Sequence, residues 1–228
     1  MPEQFDLVIL GAGSTAFAAA LRATESGKTV ALTESRTLGG TCANRGCLPS
    51  KNLIEAARIL YESSNPRYPG LSPAPMQLDF RALIEQKDEV IQGYRAKKHQ
   101  SIVSGSQRIR VFDGEARFTG ANEVSVGETR LTGSRFLVAT GSFPIIPNVP
   151  GLNDTPYLTS DLLTSMEDME MKALPESLII LGGGYIALEL GQMFSRFGTK
   201  VSLLERGNRL LSNYEPEISQ SVTEVFRE

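Results

Sequence analysis

The fold of this chain is decided by Phe5-Asp6-Leu7-Val8-Ile9-Leu10-Gly11-Ala12-Gly13-Ser14-Thr15-Ala16. Its first half, residues 5–10, is a nearly continuous apolar run, which is typical of a strand buried on both faces of a parallel sheet. The composition then predicts a helix from about Phe17 to Glu25, and a second apolar run ends at Glu34. This order, with G-x-G-x-x-A at the first turn, predicts a β-α-β unit that binds a dinucleotide.

The glycines and the acidic residue of this unit have defined roles in such a site. Gly11 permits the tight turn, and Gly13 lets the backbone approach a pyrophosphate. The phosphates are expected beside Ser14 and Thr15, because the N–H groups and the dipole of a helix N-terminus favour negative charge. Glu34 follows the glycines at the sequence spacing that is typical of the acidic residue that accepts a hydrogen bond from the adenosine ribose. Taken alone, the motif also fits glycines that serve packing only.

The same pattern recurs later in the chain at a constant offset of 171 residues, the difference between 182 and 11. Residues 178–187, Leu-Ile-Ile-Leu-Gly-Gly-Gly-Tyr-Ile-Ala, repeat the first strand and turn. The matching pairs are Gly11 and Gly182, Gly13 and Gly184, Ala16 and Ala187, Gly27 and Gly198, Val30 and Val201, and Glu34 and Glu205. Because chance matches do not keep one register across strand, turn and helix end, the sequence predicts two dinucleotide sites. The alternative is a duplicated fold with one inactive site.

Both cysteines of the chain lie in residues 39–51, Gly-Gly-Thr-Cys-Ala-Asn-Arg-Gly-Cys-Leu-Pro-Ser-Lys. Cys42 and Cys47 can close a small disulfide ring if the backbone turns, and Gly46 supplies a permissive position beside Cys47. The alternative is two buried cysteines that act as small hydrophobic residues. A zinc site would need two more ligands, and the chain has one histidine, His99.

The bulk composition excludes several classes of protein. A net charge of −3 provides no basic field for nucleic acid or anionic lipid. The sequence has no run of about 18 apolar residues that would predict a transmembrane helix, and no signal peptide is recognisable. We therefore expect a cytoplasmic protein, in which a cysteine pair is catalytic or binds metal rather than serving as a structural staple.

The remaining segments complete an α/β fold of two Rossmann-like units with parallel sheets, the first carrying a small antiparallel β insertion. Helices are expected over Lys51–Ser63 and, capped by Asp79, over Phe80–Val103, with a proline-rich loop at 64–77. His99 is expected to be a solvated surface residue. Short strands are expected at 108–112, 115–118, 123–126, 129–131 and 135–139, with the last returning to the main sheet.

The cysteine segment resembles the redox-active disulfide segment of the class I pyridine-nucleotide-disulfide oxidoreductases, and the resemblance covers essentially the whole chain. Within that family the mercuric reductases are the most similar, at residues 114–118, 150–152, 157–160, 188–192 and 209–219. Family members continue well beyond Glu228. The resemblance is therefore to the N-terminal part of the catalytic core. It implies an FAD-binding domain at 1–150 and the first part of an NAD(P)-binding domain at 151–228.

The resemblance also implies a role for each site residue. Cys42 would be the outer thiol that meets substrate, and Cys47 the inner thiol that faces the flavin. Lys51 would lie near the flavin and pair with Glu189, and Tyr185 would cover the flavin until the nicotinamide displaces it. The alternatives are a solvated Lys51 and a Tyr185 in the core. The residues expected to contact FAD are Gly11, Gly13, Ser14, Thr15, Glu34, Gly40, Thr41, Lys51, Ala116, Thr140 and Gly141. Those expected to contact the nicotinamide cofactor are Gly182, Gly184, Tyr185, Ile186, Glu205 and Arg206.

The choice of nicotinamide cofactor depends on the end of the repeated strand. Glu205 favours a ribose 2′-hydroxyl and therefore NADH, whereas Arg206 and Arg209 could accommodate the 2′-phosphate of NADPH. The family resemblance favours NADPH, with NADH as the alternative.

The function expected from this resemblance is the reduction of Hg(II) to Hg(0), a step of mercury detoxification. Electrons would pass from NADPH through FAD to Cys42 and Cys47, which hold the ion transiently, and thiolates suit such a soft metal. The full-length protein is expected to be a homodimer, and the 228-residue chain alone is expected to be inactive. One alternative is dihydrolipoamide dehydrogenase or another dithiol/disulfide reductase of the family. Another is a non-catalytic nucleotide-binding fragment.

Overall fold

The computed structural model describes residues 1–163 and 171–227. The chain forms two compact units, one made of Met1–Pro49 and Asp88–Glu170, the other of Ser50–Lys87 and Met171–Glu228. Residues 164–170 and 228, which belong to the expected NAD(P)-binding domain, lie outside the described part. The functional division expected at residue 150 stays a prediction.

The first unit is built on a six-stranded sheet with the order β3-β2-β1-β6-β5-β4. Strand β1 pairs in parallel with β2 and with β6, β2 pairs in parallel with β3, and β4, β5 and β6 are antiparallel. The strands are β1 (Glu3–Leu10), β2 (Val30–Glu34), β3 (Ile109–Asp113), β4 (Ala116–Gly120), β5 (Glu123–Val126) and β6 (Thr129–Val138). This mixed arrangement confirms the predicted α/β class.

Two details of the strand assignment differ from the prediction. Strand β3, expected in the antiparallel insertion, extends the parallel sheet, with Val30 opposite Ile109. Strand β6 is one continuous strand across the two predicted segments, because Gly133 keeps its place in the ladder opposite Phe5. A single glycine weakens a strand without ending it. The prediction that a glycine separates two strands here was therefore wrong.

The core of the first unit lies on both faces of the sheet, as expected for central parallel strands. On one face Ile9, Val30 and Leu32 pack with Phe17 of the helix that follows β1. On the other face, residues of β1 and β2 pack with residues of the antiparallel part. These residues are Phe5, Val8, Leu10, Ala31, Val124, Val126 and Leu131.

The helices differ from the prediction in several places: two begin earlier, at Ser14 instead of Phe17 and at Cys47 instead of Lys51, one begins at Phe80 as expected, and a short helix at Gly40–Asn44 was not predicted. They are α1 (Ser14–Glu25), α2 (Gly40–Asn44), α3 (Cys47–Ser64), α4 (Phe80–Arg95) and α5 (Ser101–Ser104), and the two unit boundaries fall inside α3 and α4. The predicted cap of α4 is present, because Asp79 Oδ1 accepts a hydrogen bond of 3.0 Å from Ala82 N. No helix in the described part of the chain is both long and apolar enough to cross a membrane.

The expectation of a solvated His99 is wrong. A turn of π-helix, Ala96–Gln100, joins α4 to α5, and His99 in this turn is only 5% exposed. Its ring lies 4.8 Å from the ring of Phe17. A π-turn holds one residue more than an α-turn, and the neighbouring lysines of the sequence gave no sign that this position faces inward.

The second unit contains the predicted repeat of the β-α-β pattern. Strands β7 (Ser177–Leu181) and β8 (Lys200–Leu204) are parallel and are joined by α6 (Tyr185–Arg196), and α7 (Pro216–Val225) follows. Helix α6 packs on the parts of α3 and α4 that belong to this unit. The ring of Phe197 lies 5.9 Å from that of Phe80, and the guanidinium of Arg196 lies 5.0 Å from the ring of Tyr61.

Candidate functional site

A cavity of about 720 Å³ opens at the carboxyl ends of β1, β2 and β6 in the first unit. Ligands bind at this edge in open α/β sheets. The cavity brings together every residue of this unit that was expected to contact FAD, and Cys42 lies in its wall. Ten of the lining residues are those expected to contact FAD: Gly11, Gly13, Ser14, Thr15, Glu34, Gly40, Thr41, Ala116, Thr140 and Gly141.

The turn between β1 and α1 has the geometry of a phosphate cradle. Gly11 has a φ of 109°, and a Cβ at this residue would lie 2.2 Å from the carbonyl oxygen of Ala139, so only glycine fits. Gly13 is the N-cap of α1, makes no side-chain cap, and is followed by a first turn without acidic residues. This helix end can therefore receive a phosphate on its N–H groups, and the residues present fit a dinucleotide.

Glu34 lines the cavity at the end of β2 and is held by backbone N–H groups. Its carboxylate accepts hydrogen bonds from Ala12 N at 3.3 Å and from Arg36 N at 2.8 Å. Arg36 in turn forms an ion pair of 3.2 Å with the mostly buried Asp161. The carboxylate is thus fixed at the strand end where a ribose hydroxyl can reach it.

The cysteine pair lies where two short elements meet. Cys42 is in α2, Cys47 is the first residue of α3, and both cysteines are exposed and are not joined in a disulfide. Partial desolvation of its sulfur, followed by the hydrogen bond with the Cys47 thiol, raises the pKa of Cys42 above its ordinary value of 9.0. Beside the pair, Thr41 Oγ1 donates a hydrogen bond of 3.1 Å to the carbonyl oxygen of Ser142. The two thiols are therefore neighbours, and Cys42 lies in the wall of the cavity.

Sequence reasoning missed three polar residues that support this segment. Asn44 and Arg45, between the cysteines, are 1% and 3% exposed. Arg45 lines the cavity and donates a hydrogen bond of 2.9 Å to Thr37 Oγ1. Arg95 of α4 donates to Asn44 across 51 positions of sequence. The only signal available was the presence of Asn and Arg between two cysteines, and it did not indicate burial.

The glycine turn of the second unit repeats the first in detail. Gly182 has a φ of 105°, and its N–H donates to Leu204 O at 2.8 Å, as Gly11 N donates to Thr33 O at 3.0 Å. Gly184 is the N-cap of α6. The next two residues, Tyr185 and Ile186, are 57% and 44% exposed, so within this unit Tyr185 is not a core residue.

Glu205 stands at the end of β8 and is held in the same way as Glu34. Its carboxylate accepts hydrogen bonds of 2.5 Å from Gly207 N and 2.6 Å from Gly183 N. These two bonds, in this order, hold the pKa of Glu205 below its ordinary value, with a smaller contribution from the charge of Arg206. A second cavity, of about 450 Å³, is lined by Glu205 and Arg209 and does not include Arg206.

The ion pair between Lys51 and Glu189 is present within the second unit. The distance from Lys51 Nζ to Glu189 Oε2 is 2.5 Å, and the two side chains are 56% and 42% exposed. An exposed pair of this kind adds little to stability. Its geometry nevertheless leaves the ammonium group at a fixed position on the first turns of α3.

Comparisons with known proteins identify the family of this chain. The family described as pyridine nucleotide-disulphide oxidoreductase matches residues 5–228. Over 226 residues the chain is 39% identical to the mercuric reductase of Lysinibacillus sphaericus and 41% identical to that of Staphylococcus aureus. These alignments cover 99% and 98% of this chain and 40% of each relative.

A solved structure, the HOCl-induced flavoprotein disulfide reductase RclA from Escherichia coli, is also similar. It has a TM-score of 0.81 and 31% identity over 97% of this chain and 47% of that chain. The Cu(II) complex of RclA gives a TM-score of 0.82 at 30% identity. The chain thus spans less than half the length of these relatives. It belongs to the pyridine nucleotide-disulphide oxidoreductase family, of which it corresponds to the N-terminal part of the catalytic core.

Proposed function

We propose that this chain is the N-terminal part of a flavin-dependent oxidoreductase that uses a nicotinamide cofactor to reduce Hg(II) to Hg(0) through Cys42 and Cys47. The observation that carries the proposal is that Cys42 lies in the wall of the cavity at the glycine turn and that the Cys47 thiol is its neighbour. Identity of about 40% to mercuric reductases supports the choice of substrate. The family resemblance further supports a cytoplasmic homodimer for the longer polypeptide.

The first cavity would hold FAD. The N-terminus of α1 would bind the pyrophosphate, Glu34 the adenosine ribose, and the wall formed by Gly40, Thr41 and Thr140 the remainder. When bound, FAD supplies two-electron transfer between the nicotinamide and the cysteine pair. The work of the chain is to bind and orient this group and to present the thiols beside it.

The thiols would act in three balanced steps. A disulfide between Cys42 and Cys47 takes up two electrons and two protons and becomes two thiols. Hg(II) bound by two external thiolates then exchanges these ligands for Cys42 and Cys47, and the two cysteine protons leave with the released thiols. The ion departs as Hg(0) after it takes up the two electrons of one further nicotinamide. Soft thiolate ligands suit a soft ion, so both cysteines serve as transient ligands of the substrate.

Lys51, Glu189 and Tyr185 would assist the transfer. The ion pair with Glu189 would hold the Lys51 ammonium in place, and the family resemblance implies that this lysine would lie beside the flavin. Tyr185 is exposed at the first turn of α6, where a side chain is free to cover and uncover a bound ring.

The second glycine turn would hold the nicotinamide cofactor, with Gly182, Gly184 and Ile186 close to its phosphates. The resemblance to mercuric reductases favours NADPH. Glu205 favours NADH, because its carboxylate is kept ionised at the strand end where a 2′-phosphate would be repelled. Arg206 and Arg209 are the two cations that could offset this repulsion. The ratio of kcat/KM for NADPH and NADH, with the Glu205→Ala variant alongside, decides the matter. If Glu205 controls the choice of cofactor, the ratio of kcat/KM for NADPH to that for NADH should be higher in Glu205→Ala than in wild type.

A second candidate function is the reduction of an organic disulfide. The similarity to RclA, which is described as a flavoprotein disulfide reductase, favours it. The same two thiols would then attack a substrate disulfide and release two thiols, with two electrons again supplied by one nicotinamide. The two functions differ in substrate and share the cysteine chemistry.

The test uses the full-length, flavin-loaded protein and follows NADPH oxidation with thiol-complexed Hg(II) as the sole electron acceptor. Rapid oxidation that is lost in Cys42→Ser supports metal reduction through the pair. If Hg(II) is inert while a disulfide such as oxidised lipoamide is reduced, the second candidate replaces the first. If neither acceptor is consumed although NADPH reduces the flavin, both are excluded.

A further inference from the structure

Asn44 lies between the two cysteines and is one of the most completely buried polar side chains in the described chain, with 1% exposure. Its Nδ2 donates two hydrogen bonds, to the carbonyl oxygens of Leu38 at 3.1 Å and of Gly40 at 2.8 Å. These carbonyls flank Gly39. The Asn44 amide therefore spans the turn that leads into α2 and Cys42.

Arg95 determines which way this amide faces. Its Nε and Nη2 both donate to Asn44 Oδ1, at 3.0 and 2.7 Å. A guanidinium has donors only, so the oxygen of the amide must face Arg95 and the NH₂ group must face the turn. A charged, two-pronged contact of this kind is stronger than a neutral one and orients the acceptor. Helix α4 thereby fixes the amide that holds the turn.

The turn itself is tightly placed against the phosphate cradle. Gly39 and Gly40 have φ values of 100° and 69°. Gly39 N donates to Ala12 O at 2.9 Å, and a Cβ on Gly40 would lie 2.7 Å from the Cα of Gly13. A displacement of this turn would therefore move Cys42 and also disturb the cradle.

The imidazole of His99 packs against the turn at Gly39. A Cβ on Gly39 would lie 2.9 Å from both Cε1 and Nδ1 of His99, so the imidazole occupies the space beside the glycine. The ring of Tyr94 lies 5.7 Å from the ring of His99. The turn is thus enclosed by the cradle, the imidazole and the amide of Asn44.

We infer that Asn44 and Arg95 are positioning residues for the Cys42–Cys47 redox pair. Forming the disulfide releases two electrons and two protons as two thiols join, and its equilibrium depends on how often the two sulfurs meet in the right geometry. The amide holds the turn and therefore α2, so it raises the effective concentration of Cys42 at Cys47. This inference rests on the proposed function, because it requires that the pair cycles between dithiol and disulfide.

The test measures the reduction potential of the pair in the full-length, flavin-loaded protein. Wild type, Asn44→Ala, Arg95→Met and Arg95→Lys are equilibrated in thiol/disulfide buffers of graded potential, quenched by alkylation, and analysed by mass. In Asn44→Ala we expect the equilibrium constant for disulfide formation to fall by about tenfold, which is a rise in potential of about 30 mV. Arg95→Met should raise the potential by a similar amount, and Arg95→Lys should give a potential between those of wild type and Arg95→Met.

The matched control removes a buried hydrogen bond elsewhere. Thr199 is 5% exposed and its Oγ1 donates to Pro175 O at 2.9 Å in the second unit. Thr199→Val should lower the melting temperature as the Asn44 variant does, with the potential unchanged. The double variant of Asn44→Ala with Arg95→Met should shift the potential no further than Asn44→Ala alone, since both act through one amide.

The outcomes separate this inference from the proposed function. If wild type forms no disulfide at any buffer potential, the proposed redox pair is wrong. If wild type forms it and both Asn44→Ala and Arg95→Met leave its potential unchanged, or if Thr199→Val shifts it equally, the positioning role is wrong. Should Asn44→Ala fail to fold, Arg95→Lys and Arg95→Met, which keep the amide, decide the question by the same measurement.

Discussion

Glu34 and Glu205 make the same two hydrogen bonds, 171 positions apart in sequence (205 less 34). Glu34 accepts from the backbone N–H groups of Ala12 and Arg36, and Glu205 accepts from those of Gly183 and Gly207. Each of these donors is displaced by the same offset. The repeat therefore extends from the glycine pattern to the hydrogen bonds that hold the carboxylate at each strand end, as two dinucleotide sites would require.

Removing each carboxylate should weaken one cofactor only. In the full-length protein, Glu34→Ala should raise the Kd of FAD and leave that of the nicotinamide cofactor unchanged, and Glu205→Ala should do the reverse for NADH. A hydrogen bond to a charged group contributes about 1.5–3 kcal/mol, so each Kd should rise on the order of 10- to 100-fold. Fluorescence titration measures both constants. A variant that weakens both cofactors equally would indicate general unfolding instead.

Gly40 should not tolerate a side chain, because its positive φ and the 2.7 Å approach to Gly13 both exclude one. The control is Gly127→Ala, where φ is 57° and nothing lies within 4 Å. We expect the control to lower the free energy of unfolding by about 1–2 kcal/mol from backbone strain alone. Gly40→Ala should cost about 1–3 kcal/mol more and also weaken flavin binding. Equal losses in both variants would contradict the close approach.

The sequence predicts those parts of the fold that depend on residues close together in the chain. The glycine turns and both acidic strand ends are predicted from spacing alone, because a strand, a turn and a helix start are local events. The family resemblance, and not spacing, predicted that Gly40, Thr41, Ala116, Thr140 and Gly141 share a site, and all five line the first cavity. The support of the cysteine segment depends on distant contacts. Arg95 reaches Asn44 only when α4 packs beside the turn, and no local pattern near either residue indicates that packing.

The strand and histidine errors have the same cause. Strand β3 has the alternation of an insertion strand, and only its pairing with β2 places it in the parallel sheet. The burial of His99 depends on one turn of π-helix in a charged stretch, which places the imidazole against Phe17. Sequence period predicts the element but not the surface on which it packs.

The Lys51–Glu189 pair should matter for reactivity and little for stability. Both side chains are substantially exposed, so Glu189→Gln should change the free energy of unfolding by less than about 1 kcal/mol. If the ammonium group acts beside the flavin, the rate of flavin reduction should nevertheless fall. Glu85→Gln, which breaks the exposed Arg81–Glu85 pair of α4, is the matched control and should leave that rate unchanged. Equal rates in wild type and Glu189→Gln would remove the pair from the mechanism.

His99 should make the protein less stable in mild acid. Burial, and then the charge of Arg95, lower the pKa of His99 in the folded protein below its ordinary value of 6.5. As the pH falls through about 6.5 the unfolded chain binds a proton that the folded chain does not, so the free energy of unfolding decreases. In His99→Leu this part of the decrease should disappear. Urea unfolding of both proteins between pH 5 and 8 measures it, and parallel curves would contradict the burial of a neutral imidazole.

The proposed reaction requires that Cys42 and Cys47 exchange electrons with the nicotinamide cofactor. The decisive measurement is the number of free thiols in the full-length, flavin-loaded protein before and after anaerobic addition of NADPH or NADH. We predict a gain of the two thiols of one disulfide in wild type and no gain in Cys42→Ser, in which the flavin is still reduced. A wild-type protein whose flavin is reduced without any gain in thiols would contradict the redox role of the pair.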